Sequence, residues 1–160
     1  MIKVSANVDR SQLRKKLRWK DFKGAPEESA YKAYTFWNVE YSFCYNECQE
    51  ELTISIWNGV SPKSWVKSDA KTKELLKHEK GHFNISKILA LRFRNRIDGC
   101  LVSEDYQTTI SEHFAILHAQ ALKLEEKYDK ESCHFKDKDN QKRWDMYLST
   151  VLNALVTKLR

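Results

Sequence analysis

Five consecutive residues, His78-Glu79-Lys80-Gly81-His82, carry the strongest chemical signal in this chain. On a helix, side chains four apart share one face, with Cβ atoms about 5–6 Å apart. Both imidazoles can then reach a single zinc ion at about 2.0–2.1 Å. Glu79 is turned off that line by one residue, so it can take a proton from an activated water without becoming a ligand. Chance produces this pattern roughly once per hundred chains of this composition, so its setting matters. The inward stripe of the helix reads Leu75, His78, His82, Ile85, Leu89, which puts both histidines where core side chains belong. Two buried imidazoles cost free energy unless each finds a partner, and a shared metal ion serves both. The competing reading is a pair of core histidines bonded to carbonyls or water. Gly81 costs about 1 kcal/mol in a helix interior relative to Ala, and close approach of a neighbouring strand is a reason for it to be there.

Catalytic zinc needs a third protein ligand and an open position. The remaining histidines are His113, His118 and His134. His134 ranks first, as a loop residue placed to return to the first helix, with Asp129 available to hold its other ring nitrogen. His113, on the border of the second helix's inward stripe, ranks next, then a carboxylate such as Glu112. The chemistry these residues suit is metal-assisted amide hydrolysis, with Glu79 as general base. A second donor for the developing oxyanion is expected from Tyr128, whose alternative role is an ordinary core tyrosine.

Two kinds of element must position this set. From Trp37 the chain alternates, with Trp37, Val39, Tyr41, Phe43 and Tyr45 on one side, and Leu52, Ile54 and Ile56 repeat the pattern. Period two predicts half-buried strands, joined as a hairpin through Asn46 to Glu51. Trp19 to Pro26 reads as a tight loop closed by Gly24 and Pro26. The rest reads as three helices. The first spans about Asp69 to Ile97, with Gly99 as its stop. The second spans about Ser103 to Tyr128, with Ile110, Phe114, Leu117, Ala121 and Leu124 inward. The third spans about Asn140 to Leu159, with Trp144, Leu148, Val151 and Leu155 on one face. Strands first and helices after predict an α+β domain, an N-terminal antiparallel β-sheet followed by three helices. Most of the five tryptophans are expected in the core.

The bulk properties limit the alternatives. The 160 residues fit one domain, with 41% hydrophobic and 31% charged residues, the balance of a folded globular protein. No apolar run approaches the length of a membrane span. The net charge of +6 comes from lysines and arginines scattered among acidic residues, so a mixed solvated surface is expected and nucleic-acid binding is not. Cys44, Cys48, Cys100 and Cys133 permit two disulfides or four thiols, and the spacing does not choose. The first residues lack the apolar segment of a secretory signal, which fits either a cytosolic protein or a mature chain with a replacement Met1.

The sequence resembles the bacterial domain-of-unknown-function family 922, described as zinc-dependent proteases. Four blocks carry the resemblance, in order: Leu17 to Gly24; Ser64-Trp65-Val66-Lys67; Leu75 to Ile85 around the two histidines; and Tyr128-Asp129 through His134, followed by Gln141 and Trp144. The chain departs from the pattern at Asn84, Ser132 and Phe135, where Asp, Thr and Gly are expected. The resemblance implies a zincin-like site with His78, His82 and His134 as zinc ligands, Glu79 as catalytic base, and Tyr128 and Asp129 as site residues. It also implies a protein or peptide substrate and a periplasmic or secreted location. The competing function is a non-catalytic binding domain in which zinc is structural.

Overall fold

The computed structural model describes residues 1–159. Strand β1 (Ile2–Val8) opens the chain, followed by a five-residue helix α1 (Arg10–Arg14) and a single 3-10 turn at Trp19–Asp21. Next come β2 (Ala33–Tyr34), β3 (Trp37–Asn46), β4 (Glu51–Val60) and β5 (Trp65–Val66). Helix α2 (Lys73–Ile97), strand β6 (Leu101–Val102), helix α3 (Tyr106–Ser132) and helix α4 (Lys138–Thr157) complete the fold. The architecture is α+β.

The main sheet has the order β3-β4-β1-β6. The β3–β4 hairpin forms as the alternation predicts, antiparallel, with Tyr41 opposite Ile56 and Phe43 opposite Ile54. The all-antiparallel expectation is corrected by β1, which lies parallel to β4 with Val4 opposite Leu52 and Ala6 opposite Ile54. β6 then closes the far edge antiparallel to β1. The signal for β1 is present in the alternation Ile2, Val4, Ala6, whose side chains are all buried. A local pattern reveals a strand but not its partner, because pairing is settled by which neighbour covers the same apolar face. That cover is α2: Ala90, Phe93 and Ile97 pack on Ile2, Val4, Ala6, Leu52, Ile54 and Ile56.

Helix boundaries follow their caps. α2 starts at Lys73 and not near Asp69, because Thr72 accepts a hydrogen bond from the Leu75 N–H and a separate 3-10 turn occupies Ser68–Ala70. Gly99 follows the helix at φ +77°, the conformation a stop glycine supplies without strain. α3 runs four residues beyond Tyr128, so Asp129 is helical and shares a face with Glu125. After it Cys133, His134 and Phe135 all have positive φ, at 47°, 50° and 74°. Such a φ is the one glycine takes most easily, yet all three positions carry side chains. α4 starts on the Asp137 side chain, which accepts from the Asn140 N–H. All four cysteines are free thiols.

A second sheet of two strands, β2 and β5, is antiparallel, with Ala33 opposite Val66 and Tyr34 opposite Trp65. It stands beside the N-terminal half of α2, over a cluster formed by Leu17, Phe22, Ala33, Val66, Leu75 and Phe83. A third cluster joins α2 to α3 and α4 through Ile85, Leu89, Ala121, Tyr128, Trp144 and Leu148. The first turns of α2 are therefore held between the small sheet on one side and α3 and α4 on the other.

Candidate metal centre

His78, Glu79 and His82 are buried at 2%, 3% and 8% exposure. They form the floor of a cavity of about 500 Å³. One wall is the segment Ala30 to Thr35, and the other is Leu122, Glu125, Glu126 and Asp129 of α3. His134, Phe135 and Lys136 close one end.

Three donor atoms converge on this floor. His78 Nε2 and His82 Nε2 are 3.3 Å apart. Asp129 Oδ1 lies 3.1 Å from the first and 3.0 Å from the second. Tetrahedral ligands at about 2.0–2.1 Å from an ion stand about 3.3–3.4 Å from one another, so the three atoms outline one face of such a shell. The opposite ring nitrogens point away from it. His78 Nδ1 is 2.9 Å from Gln141 Oε1, and His82 Nδ1 is 2.8 Å from Glu125 Oε1. Glu125 also accepts the indole N–H of Trp37 at 2.7 Å. A carboxylate can only accept, so His82 donates from Nδ1 to Glu125, while its Nε2 faces Asp129 and His78, where a cation would take the place of a proton.

The electrostatics call for positive charge at that point. Burial alone lowers the His82 pKa. The hydrogen bonds of Asp129 and Glu125, with the charge of Glu79 behind them, outweigh burial and push it up to about 10. Burial opposes the charge on Asp129, yet its bonds to His78 and His82 hold its carboxyl well below the usual carboxylate range. A cation among the three donors answers the same demand as these protons. The donor set, two imidazoles and a carboxylate, suits zinc.

Glu79 faces the same cavity. Its Oε2 accepts the hydroxyl of Thr35 at 2.5 Å. Thr35 follows β2 and is itself buried at 5% exposure.

The expected site residues separate into two groups. His78, Glu79 and His82 come together as the spacing predicts. His134 stands at the rim, 44% exposed in its side chain, with Nδ1 3.5 Å from Asp129 Oδ1. It lies outside the tight group of His78, His82 and Asp129. Asp129 is therefore not simply a holder for the His134 ring, since its oxygen is one of the three converging donors. His113 lies 3.5 Å from Arg96 Nε, His118 packs against Trp37 and Phe114, and neither they nor Glu112 lines the cavity.

Tyr128 sits beneath the histidines. Its ring stacks on His78 at 4.7 Å and an interplanar angle of 15°. Its hydroxyl donates to the His78 carbonyl at 2.9 Å and accepts from Gln141 Nε2 at 2.8 Å. With 0% exposure, it does not border the cavity. Gly81 belongs to this contact, for a Cβ there would overlap the Tyr128 hydroxyl and ring. The close neighbour anticipated for Gly81 is thus a side chain of α3 and not a strand.

Sequence reasoning passed over Thr35, Glu125 and the role of Gln141. For Gln141 a signal existed: it is a polar residue on the stripe Gln141, Trp144, Leu148. Glu125 and Asp129 are an i, i+4 carboxylate pair flanking the buried Tyr128, which was a weaker signal. Thr35 carried none, because its partner lies 44 residues away. Compared with protein-family models, curated proteins and solved structures, the chain matches none.

Proposed function

We propose that the chain is a zinc-dependent hydrolase of amide bonds, a zincin-like peptidase of the kind its resemblance to family 922 implies. The observation that carries this reading is the convergence of His78 Nε2, His82 Nε2 and Asp129 Oδ1 within 3.3 Å of one another, beside a carboxylate, Glu79, in an open cavity. Zinc, when bound there, supplies Lewis acidity to a carbonyl oxygen and to a water molecule. The Thr35 hydroxyl engages Glu79 Oε2 and leaves Oε1 to take a proton from that water. The water oxygen bonds to the carbonyl carbon, the C–N bond breaks, and Glu79 returns the proton to the leaving amine. Tyr128 and Gln141 hold the His78 ring in place and do not touch the substrate.

The cavity wall supports a peptide substrate. The Lys67 N–H donates to the Lys32 carbonyl at 2.8 Å, so Lys32 and Lys67 form a hydrogen-bonded pair. Pairs alternate along an antiparallel ladder, which turns the main-chain groups of Ala33 and Thr35 to the edge away from β5. Among the described residues no third strand covers that edge. An extended peptide can add there, with the partly exposed rings of Tyr31, Tyr34 and Phe36 beside its side chains.

A second reading rests on His134. With Nδ1 3.5 Å from Asp129 Oδ1, a shift that brought His134 up to both imidazoles would close a four-donor shell with no open position, the coordination number of a structural zinc site. One experiment separates the two readings: zinc-loaded wild type and Glu79→Gln are compared for cleavage of a mixed peptide pool. Cleavage by wild type alone, at equal zinc content, supports the hydrolase. Equal inactivity of both proteins, with His134 required for zinc retention, favours the structural site.

A further inference from the structure

The net charge of +6 is not spread through the chain as expected. Residues 10–23 hold seven of the 28 lysines and arginines but only one of the 22 acidic residues. The remaining residues hold 21 of each kind and are neutral as a group. All of the excess charge therefore belongs to one short stretch.

The backbone there turns the charges outward in a row. After α1 the chain is extended, with φ −59° and ψ 131° at Lys15 and φ −136° and ψ 156° at Arg18. Side chains alternate between two faces of an extended chain. Arg14, Lys16, Arg18 and Lys20 are exposed, while Leu17 is buried and Lys15, Trp19 and Asp21 are half-buried. Leu17 and Phe22 hold this ribbon down, in one cluster with Ala33, Leu75 and Phe83. Beyond them the Gly24 N–H donates to the Ser64 carbonyl at 2.9 Å. The nearby carboxylates are already engaged. Asp21 accepts the Arg18 N–H at 2.9 Å and stands 3.5 Å from Lys15 Nζ. Asp9, just before the stretch, accepts from the N–H and hydroxyl of Ser11. Among the described residues, Arg14, Lys16, Arg18, Lys20 and Lys23 take part in no ion pair.

We propose that this ribbon is a docking surface for a bilayer of anionic phospholipid. Such a bilayer is bound by cations presented together near a plane, and each of them strengthens binding about fivefold. A nucleic acid is gripped by an element that enters a groove, or by aromatic faces on which bases stack. Here α1 has only five residues, and the Trp19 ring packs against Phe22 at an interplanar angle of 65°, with centroids 5.0 Å apart. No residue of the ribbon lines the cavity of the candidate metal centre. The docking surface is therefore separate from that centre, and the proposal does not depend on its metal.

Co-sedimentation with vesicles tests this, using phosphatidylcholine alone or with phosphatidylglycerol as about one part in three. Wild type is expected on the mixed vesicles only. Raising the salt to about 1 M shortens the screening length to about 3 Å and should release it. Replacing Lys16, Arg18 and Lys20 together by Gln, all at exposed positions, should weaken binding about 100-fold. A control replaces Lys73, Lys123 and Lys142 by Gln, one exposed lysine on each of α2, α3 and α4. It removes the same net charge and should keep most of the binding, because charges more than about 8–10 Å away are largely screened at moderate salt. Absence of wild type from the mixed vesicles overturns the proposal. So does a ribbon variant that binds no more weakly than the control. Tighter binding to a single-stranded oligonucleotide than to the mixed vesicles, at equal phosphate, overturns it in favour of a nucleic-acid surface.

Discussion

The Thr35 hydroxyl donates to Glu79 Oε2 at 2.5 Å across 44 residues of chain. One oxygen of the candidate base is thus committed to the wall of the cavity and the other is left for chemistry. Thr35→Val keeps the shape and removes the donor. The expected result is kcat lowered about 10-fold with KM little changed, because the loss falls on the orientation of the base in the transition state. Thr35→Ser should restore most of it. Glu79→Gln should lose about 10²–10⁴-fold at unchanged zinc content. Steady-state kinetics on a cleaved peptide, with metal analysis beside it, reads all three.

Zinc content should sort the four candidate ligands. His78→Ala, His82→Ala and Asp129→Ala should each lose bound zinc in elemental analysis, because each removes one of the three converging donors. His134→Ala should retain most of it, since its ring stands outside that group. Loss in His134→Ala with retention in Asp129→Ala would exchange the two roles.

Gly81→Ala tests the seat of α2 on Tyr128. Ala is the better helix former by about 1 kcal/mol. The added Cβ nevertheless lands on the Tyr128 ring and hydroxyl, and overpacking a rigid core costs about 1–3 kcal/mol. Net destabilisation in urea unfolding is the expected outcome. Pairing it with Tyr128→Leu, which vacates that space, should give a strongly non-additive cycle.

Lys87 gives a pH dependence outside the candidate site. Its amine is buried, donates to the Lys15 carbonyl at 2.9 Å and lies 4.5 Å over the Phe83 ring. Burial lowers its pKa from 10.5 to about 8. Between about 8 and 10.5 the unfolded chain holds this proton more tightly than the folded one. The Lys87 contribution to stability therefore rises with pH across that window and is least favourable below it. Denaturant midpoints taken across the window, for wild type and Lys87→Met, should show that rising component in wild type only.

The periodic parts of this protein are legible in the order of its amino acids. The β3–β4 hairpin, the long helices and the placing of His78 and His82 on one buried face all follow from patterns that repeat every two or every 3.6 residues. Those patterns reflect backbone geometry and need no knowledge of the rest of the chain. Whatever depends on which face meets which is settled only by long-range packing. That packing paired β1 parallel to β4, although the alternation of Ile2, Val4 and Ala6 was visible, because partner choice depends on the cover that α2 provides. It carried α3 past Tyr128 and so made Asp129 a helical side chain aimed at both imidazoles, while His134 was left on a left-handed turn at the rim. It brought Thr35 to Glu79, Glu125 to His82 and Gln141 to His78. Each of these contacts is one hydrogen bond between segments far apart in the chain, and a single long-range contact leaves no period for a sequence to display.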